Sequence, residues 1–405
     1  MSDALSQLDT GSRAASRVAA LGLSQDVETA VQRYPVSHRR EVRRLVRSSP
    51  RIADLATVFP GILYALAARR GPISARLNAT SLIEDGAQLK FVARALDLPM
   101  WLRRLPPEAF EDLPQRLPKS EAFGRRIACR MPAAPRESAF WLESVLFAEA
   151  ACHEDFAIWL AGQTIFHDAG DVEKMLAVVA AYAWYSGRPE ASAHKLIVVP
   201  WRPEISFDTA LCAAKSWFNR VRLVLQLTPG VVVDPWLKPG AGLGYTFEPL
   251  MTHQDVLAEA QAMQNCADQY GERIVRDKCR LFSVRRNGTR IATLEIGPHS
   301  RENGVLAINQ LKARHNMAAS TEVWQAAYTW MASQQALKRL PSLGSNDNVR
   351  AFDQEAWCKL LSPYRDAKAG APWIDLDATH QMFSGFDADL ADLARRGGVS
   401  SWLFT

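Results

Sequence analysis

The sequence predicts an α+β protein that is predominantly α: a helical array over residues 1–190, a mixed α/β connecting segment over 191–244, a small α-β-β-β-α module over 245–339, and a linker with a C-terminal tail over 340–405. Three observations carry this expectation. Helical periodicity with little strand character runs to about Ser186. Thr252-His-Gln-Asp255 has the spacing of a capping box and precedes a long amphipathic stretch. Asn287-Gly288, the residue pair that best tolerates the positive φ angles of a two-residue turn, lies between two apolar runs.

Taken in order, the first ten residues are polar and expected to fray. The array beyond them is cut at Pro106-Pro107, Pro114, Pro118 and Pro132, because proline removes a backbone donor and clashes with the preceding turn. No repeat of fixed period is evident. In the connecting segment, 196–199 is a short apolar run, 207–219 reads as helix, and 221–227 and 231–233 read as strands. Pro239-Gly-Ala-Gly-Leu-Gly244 imitates a phosphate-binding glycine pattern, but a true one opens a helix, and here Tyr245-Thr-Phe-Glu-Pro249 comes next. A flexible loop is expected instead.

The module begins where the Thr252 hydroxyl can satisfy a free amide of the first helical turn. Val256, Ala260, Met263, Ala267, Tyr270 and Ile274 then recur at alternate spacings of four and three, which predicts a single helix through Ile274. Cys266 falls beside that face, about three turns in. Counting back from the Asn287-Gly288 turn pairs Val284 with Ile291, Phe282 with Thr293, and Arg280 with Glu295, an opposite-charge pair at the open end of the hairpin. A third strand over 305–311 and a closing helix over 321–338, with Val323, Trp324, Ala327 and Met331 as its apolar face, complete the unit. After a polar linker at 340–348, the tail holds one short helix near 354–361.

Composition narrows the functional class. With 405 residues, 48% of them hydrophobic, the chain can bury a large core. No run reaches the length of a membrane span and the start lacks the apolar core of a secretory signal, so a cytoplasmic protein without a membrane partner is expected. The six cysteines form no C-x-x-C pair or Cys/His cluster, which predicts reduced thiols and neither metal nor cofactor. A net charge of +5 permits a polyanionic partner without requiring one. The absence of a His-x-His pair, a Walker loop, H-E-x-x-H and G-x-S-x-G argues against relaxase, P-loop ATPase, zincin and α/β-hydrolase.

Phe247-Glu-Pro-Leu-Met-Thr252, Leu257-Ala-Glu-Ala-Gln-Ala-Met263-Gln-Asn-Cys266-Ala-Asp-Gln-Tyr270, Leu281-Phe-Ser-Val-Arg285, Ala292-Thr-Leu-Glu-Ile296, Gln310 and Asn316 together resemble the PcfJ-like family of conjugative plasmids and bacterial genomes. Upstream, residues 98–110 and 156–161 also look like the helical leader of proteobacterial members. The family usually has His-Cys where this chain has Asn265-Cys266, and an acidic-glycine step where it has Glu259-Ala260. The resemblance implies a link to conjugation or mobile DNA, with other plasmid- or mobile-element-encoded proteins as partners, and supplies no settled reaction.

Two candidate sites emerge. The first gathers Cys266, Tyr270, Glu295, Gln310 and Asn316, a thiol, phenol, carboxylate and two amides on one small unit, with His299 or His315 as a base if the fold brings either close. The plainer reading of Cys266 is a buried packing residue beside Met263 and Tyr270. The second is the flank Arg39, Arg40, Arg43, Arg44 and Arg47, which, with Arg103, Arg104, Arg125, Arg126 and Arg130 in the same half, can lie on phosphates or be an ordinary solvated helix face. An accessory or binding protein acting near mobile or genomic DNA and a thiol-dependent hydrolase or transferase centred on Cys266 are the two functions left open.

Overall fold

A computed structural model of the chain describes residues 23–111, 113–132, 135–163, 172–228, 230–302, 304–334, 354–369, 371, 390–391 and 394–395. The protein is α+β and predominantly α, with fifteen α-helices and one five-stranded antiparallel sheet among the described residues. The helices are α1 (Gln25–Gln32), α2 (Val36–Val46), α3 (Pro50–Val58), α4 (Pro60–Ala67), α5 (Ile73–Glu84), α6 (Leu89–Ala95), α7 (Glu121–Ala128), α8 (Pro135–Ala151), α9 (Glu154–Ala161), α10 (Val172–Ser186), α11 (Phe207–Gln226), α12 (His253–Met263), α13 (Gly271–Val275), α14 (Thr321–Ala332) and α15 (Gln354–Ala367). The first ten residues, the predicted helix end at 335–338 and the linker at 340–348 lie outside the described residues.

Local chemistry sets the boundaries in the first half. Proline opens α3 and α4, where its missing N–H is no loss. Ser24, Ser120 and the His153 ring cap α1, α7 and α9 by accepting an amide of the first turn. The proline-rich stretch between α6 and α7 holds two short 3-10 turns, Met100–Arg104 and Pro107–Ala109, in place of a helix. One hydrophobic core runs from Val27 through α4, which is buried along its whole length, to Leu225 on α11, and takes in Trp357, Leu360, Leu361 and Tyr364 from α15. Tyr185 fixes that last contact, its hydroxyl donating to the Leu360 carbonyl at 2.8 Å.

Residues 221–227 are not a strand: α11 runs on to Gln226. Its apolar residues there look strand-like because both sides of the helix end are covered, Val221, Val224 and Leu225 by the large core and Leu223 by a second cluster with Val256, Ala260 and Leu281. Residues 231–233 are not a strand either, Val233 making one backbone bond to Met251 at 2.8 Å. The glycine-rich stretch is no flexible loop. Gly240–Gly242 is strand β1, turned through Leu243 and Gly244 at φ 48 and 81° into β2 (Tyr245–Pro249). A Cβ on Gly242 would stand 2.7 Å from the Ala326 carbonyl, so glycine is what lets β1 pack on α14.

The sheet order is β1-β2-β3-β4-β5, with β3 (Arg280–Arg286), β4 (Thr289–Pro298) and β5 (Leu306–Ala313). The hairpin turn forms at Asn287-Gly288, but a bulge at Ile291 changes the register expected beyond it. Arg285 faces Arg290, Val284 then faces Ala292, Phe282 faces Leu294 and Arg280 faces Ile296. One extra residue moves every later β4 side chain to the opposite face from the simple count. The expected Arg280–Glu295 pair is therefore absent. Arg280 instead pairs with Asp277 and stacks on Trp236 at 4.2 Å.

One sheet face packs on α14, where Trp330 stacks on Phe247 with ring centres 4.5 Å apart. Val323, Ala327 and Met331 are buried as expected, while Ala326 and Trp330 take the central place and Trp324 is half-buried. The other face meets α12 and α13. The capping box is made: Thr252 Oγ1 accepts from the Asp255 amide at 3.2 Å and Asp255 Oδ2 accepts from the Thr252 amide at 3.0 Å. The single helix expected through Ile274 is broken, however. It stops at Met263, Gln264 turns left-handed at φ 50°, and Ala267–Gln269 forms a 3-10 turn before α13. The apolar spacing survives because Val256, Ala260, Ala267 and Ile274 still meet one cluster.

Candidate functional site

The break after α12 is held by a chain of buried and half-buried polar bonds. Asn265 Nδ2 donates to Thr293 Oγ1 at 2.8 Å, Thr293 Oγ1 donates to Glu259 Oε1 at 2.8 Å, and Arg290 Nε donates to Glu259 Oε2 at 2.9 Å. Glu259 is fully buried, and both its oxygens are occupied. Asn265 Oδ1 also accepts from the Ala267 amide at 3.1 Å, a side-chain bond that competes with continuing the helix. Cys266 consequently stands on a fixed turn rather than three turns inside a helix.

The Ile291 bulge and a second one near Asn309 set the opposite wall. Thr293 faces Lys312 and Glu295 faces Gln310 on β5, while Leu281 and Ser283 of β3 share that face. Glu295 is 2% exposed. Its Oε1 accepts from Arg273 at 2.5 Å and from Asn309 Nδ2 at 3.4 Å, and its Oε2 has no partner. A buried carboxylate oxygen without a donor is costly, and among the described residues Glu108 Oε2, on the carboxylate that pairs with Arg33, shares that condition.

The five residues read from the sequence come together. Cys266, Tyr270, Glu295, Gln310 and Asn316 line one recess of about 20 Å³, together with Asn265, Thr293 and Lys312. Cys266 Sγ donates to Asn316 Oδ1 at 3.7 Å and the Tyr270 hydroxyl donates to Gln310 Oε1 at 3.4 Å. Cys266 also lines a cleft of about 650 Å³ between α11 and the 260–269 segment, shared with Asn265 and Asn316. Arg220 on α11 clamps the turn from that side, its Nε 3.1 Å from Asp268 Oδ2 in an almost buried pair. The thiol is thus half-buried and opens on a cleft, so it is not a simple core residue.

Electrostatics keep the resting thiol protonated. Burial, then the charge of Asp268, push the Cys266 pKa up against the opposing pull of backbone amides, Asn316 and Lys312. Burial, then Glu295 and Cys266, push Tyr270 up as well, although Arg273 sits over its ring at 5.0 Å. Burial raises Asp268 despite Arg220.

Neither histidine proposed as a base reaches the recess. The His299 ring accepts the Arg301 and Glu302 amides in a loop, and His315 is exposed at φ 59°. Lys312, Asn265, Thr293 and Glu259 were not legible as site residues. The signal for Lys312 is its place two residues after Gln310, the same face of a strand, once β5 extends past 311. Among the described residues no group of three or more His, Cys, Asp or Glu side chains is placed to hold a metal ion, and no helix is long and apolar enough to cross a membrane.

The arginine flank is largely committed internally. Arg39 donates to the Tyr34 carbonyl at 2.9 Å, Arg43 pairs with Glu28 at 3.2 Å and Arg44 with Glu41 at 2.7 Å. Arg40 and Arg47 are exposed. Of the further arginines, Arg103 donates to the Val58 carbonyl, Arg104 lies 3.6 Å from Glu121 and Arg126 lies 3.5 Å from Asp155.

No protein-family model, curated protein or solved structure matches the chain.

Proposed function

We propose that the protein is a thiol-dependent hydrolase or transferase acting on acyl groups, with Cys266 as its nucleophile. The observation that carries this reading is the single recess in which a thiol, a carboxylate with a free oxygen and an ammonium converge from three separate elements. The thiol is neutral at rest, so the reaction needs a base that acts once substrate is bound. Glu295 Oε2 fills that role, contributing on the order of 10²–10⁴-fold as a general base. Lys312 and the Asn265 or Asn316 amide stand where a developing oxyanion needs donors. Tyr270 and Gln310 orient the carboxylate and the substrate, and Glu259 and Thr293 position the cysteine turn. The test is acetylation by p-nitrophenyl acetate followed by intact mass and peptide mapping. One acetyl group on Cys266, lost in Cys266→Ala and slowed in Glu295→Gln, is the expected result; labelling elsewhere or none removes the reading.

A second function, an accessory or binding protein at mobile or genomic DNA working with other mobile-element-encoded proteins, draws on the PcfJ-like resemblance and on the exposed Arg40 and Arg47. With Arg39, Arg43 and Arg44 already partnered, two phosphate contacts give a salt slope of about −2 in log affinity against log salt. Fluorescently labelled duplex and single strands at low salt measure it. No binding there, or binding unchanged by Arg40→Glu with Arg47→Glu, removes this function.

A further inference from the structure

Of the two spaces that Cys266 borders, the larger has a shape and a lining of its own. The cleft of about 650 Å³ is walled by α11 on one side and by residues 260–269 on the other. It follows α11 from Thr209 to Arg220, about three turns of helix or roughly 16 Å. Arg220 holds Asp268, two residues past Cys266, so the thiol stands toward that end of the cleft. Val198 and Val199, 51% and 42% exposed, give the cleft an apolar border. One lining residue is out of keeping with a packed wall. Asn219 is only 6% exposed, yet among the described residues its side-chain amide has no hydrogen-bond partner, and neither amide atom is sealed from solvent. A polar group so nearly buried is ordinarily paired. Its oxygen and nitrogen suit a ligand that brings one donor and one acceptor to the cleft.

We infer that the acyl group delivered to Cys266 is the carboxyl end of an extended peptide lying along α11, with Asn219 pairing to its backbone. This rests on Cys266 being the nucleophile proposed above. In an extended chain the N–H and C=O of one residue point to the same side, which is how antiparallel strands exchange paired bonds, and an asparagine amide presents the complementary pair. At about 3.3 Å per residue the cleft spans about five residues. A hydrocarbon chain of that length covers Asn219 and pairs neither of its atoms, which is costly. An acetyl group leaves most of the cleft empty. In the reaction Cys266 Sγ bonds the carbonyl carbon at the peptide's carboxyl end, the bond from that carbon to the leaving oxygen or nitrogen breaks, and the thiol proton ends on the leaving atom. Water then bonds the same carbon, the C–S bond breaks, and one water proton returns to Sγ.

The experiment uses the full chain and one leaving group, following p-nitrophenolate release from the p-nitrophenyl esters of acetate, of dodecanoate and of N-blocked peptides of about five residues. The peptide esters are expected to exceed the acetyl ester at least about 10-fold in kcat/KM. Asn219→Leu, checked for native circular dichroism, is expected to shrink that ratio about 10-fold, mainly through KM, as the loss of a nearly buried hydrogen bond does. N-methylation of the peptide at each backbone nitrogen in turn is expected to slow the native protein about 10-fold at one position, and to have no such effect there in Asn219→Leu. Equal rates for peptide and acetyl esters, or a ratio that Asn219→Leu does not move, overturn the inference. So does a scan on the native protein in which no single N-methyl group matters, a result that needs no variant to fold. A dodecanoyl ester that outruns the peptides assigns a hydrocarbon chain and overturns it likewise. In each of those cases acylation of Cys266 leaves the nucleophile in place. Release that is unchanged in Cys266→Ala sinks both.

Discussion

Glu259 places a carboxyl group in a site with no exposure, and the geometry around it explains why the fold tolerates this. Each oxygen accepts one short bond, from Arg290 and from Thr293, and Thr293 is in turn fixed by Asn265 beside the cysteine. Glu259→Ala should cost about 3 kcal/mol in urea unfolding, since it strips a buried pair and leaves the Thr293 hydroxyl without its acceptor. A loss under 1 kcal/mol would show that the relay does not hold the turn. Cys266 gives a pH prediction of definite sign. Its pKa is raised, so the thiolate fraction stays low through neutral pH and keeps growing above pH 9. Iodoacetamide should label exposed Cys129 before Cys266 at pH 8, with the Cys266 rate still climbing at pH 10. A Cys266 rate that levels off below pH 8 would mean an activated resting thiolate, contrary to its surroundings.

At the scale of elements, single residues decide where strands and helices lie. Gly242 and Gly244 belong to one glycine-rich stretch but answer to different constraints. Gly242 is needed because a Cβ would meet the Ala326 backbone, whereas Gly244 has open space and is needed only for its φ of 81°. Alanine at 242 should cost about 1–3 kcal/mol as overpacking that moves α14, and alanine at 244 about 1 kcal/mol from backbone strain. Urea midpoints of the two variants order them; an equal or reversed order would mean that β1 can lift off α14 freely. The bulge at Ile291 has a larger effect than either. It places Thr293 and Glu295 on the face that meets α12, opposite Lys312 and Gln310, and so assembles the recess.

For the whole molecule, α11 is the joint. It sends Val221, Val224 and Leu225 into the core of the helical half and Leu223 into the cluster under the sheet, and its Arg220 clamps Asp268 next to Cys266. The sheet unit therefore lacks part of its own core without this helix. A fragment beginning at residue 228 and ending at 334 should give no cooperative thermal transition, while one beginning at 205 should regain it. Cooperative unfolding of the shorter fragment would show that the sheet and α12 suffice, and that α11 only leans on them.

The sequence by itself determined what depends on neighbours in the chain. The Thr252 capping box, the Asn287-Gly288 turn and the proline breaks between α6 and α7 rest on local hydrogen bonding and backbone sterics, and all three formed. The five polar residues of the candidate site were legible as a set through the family resemblance, and they do share one recess. Tertiary structure alone decided the rest. Residues 221–226 became helix because two cores cover them, Asn265 broke α12 because Thr293 on β4 holds its side chain, and the extra residue at Ile291 changed which β4 side chains face the cysteine. Periodicity cannot distinguish a helix from a broken helix that packs on one cluster, nor count a bulge, because both conserve the local pattern while long-range contacts choose among its registers.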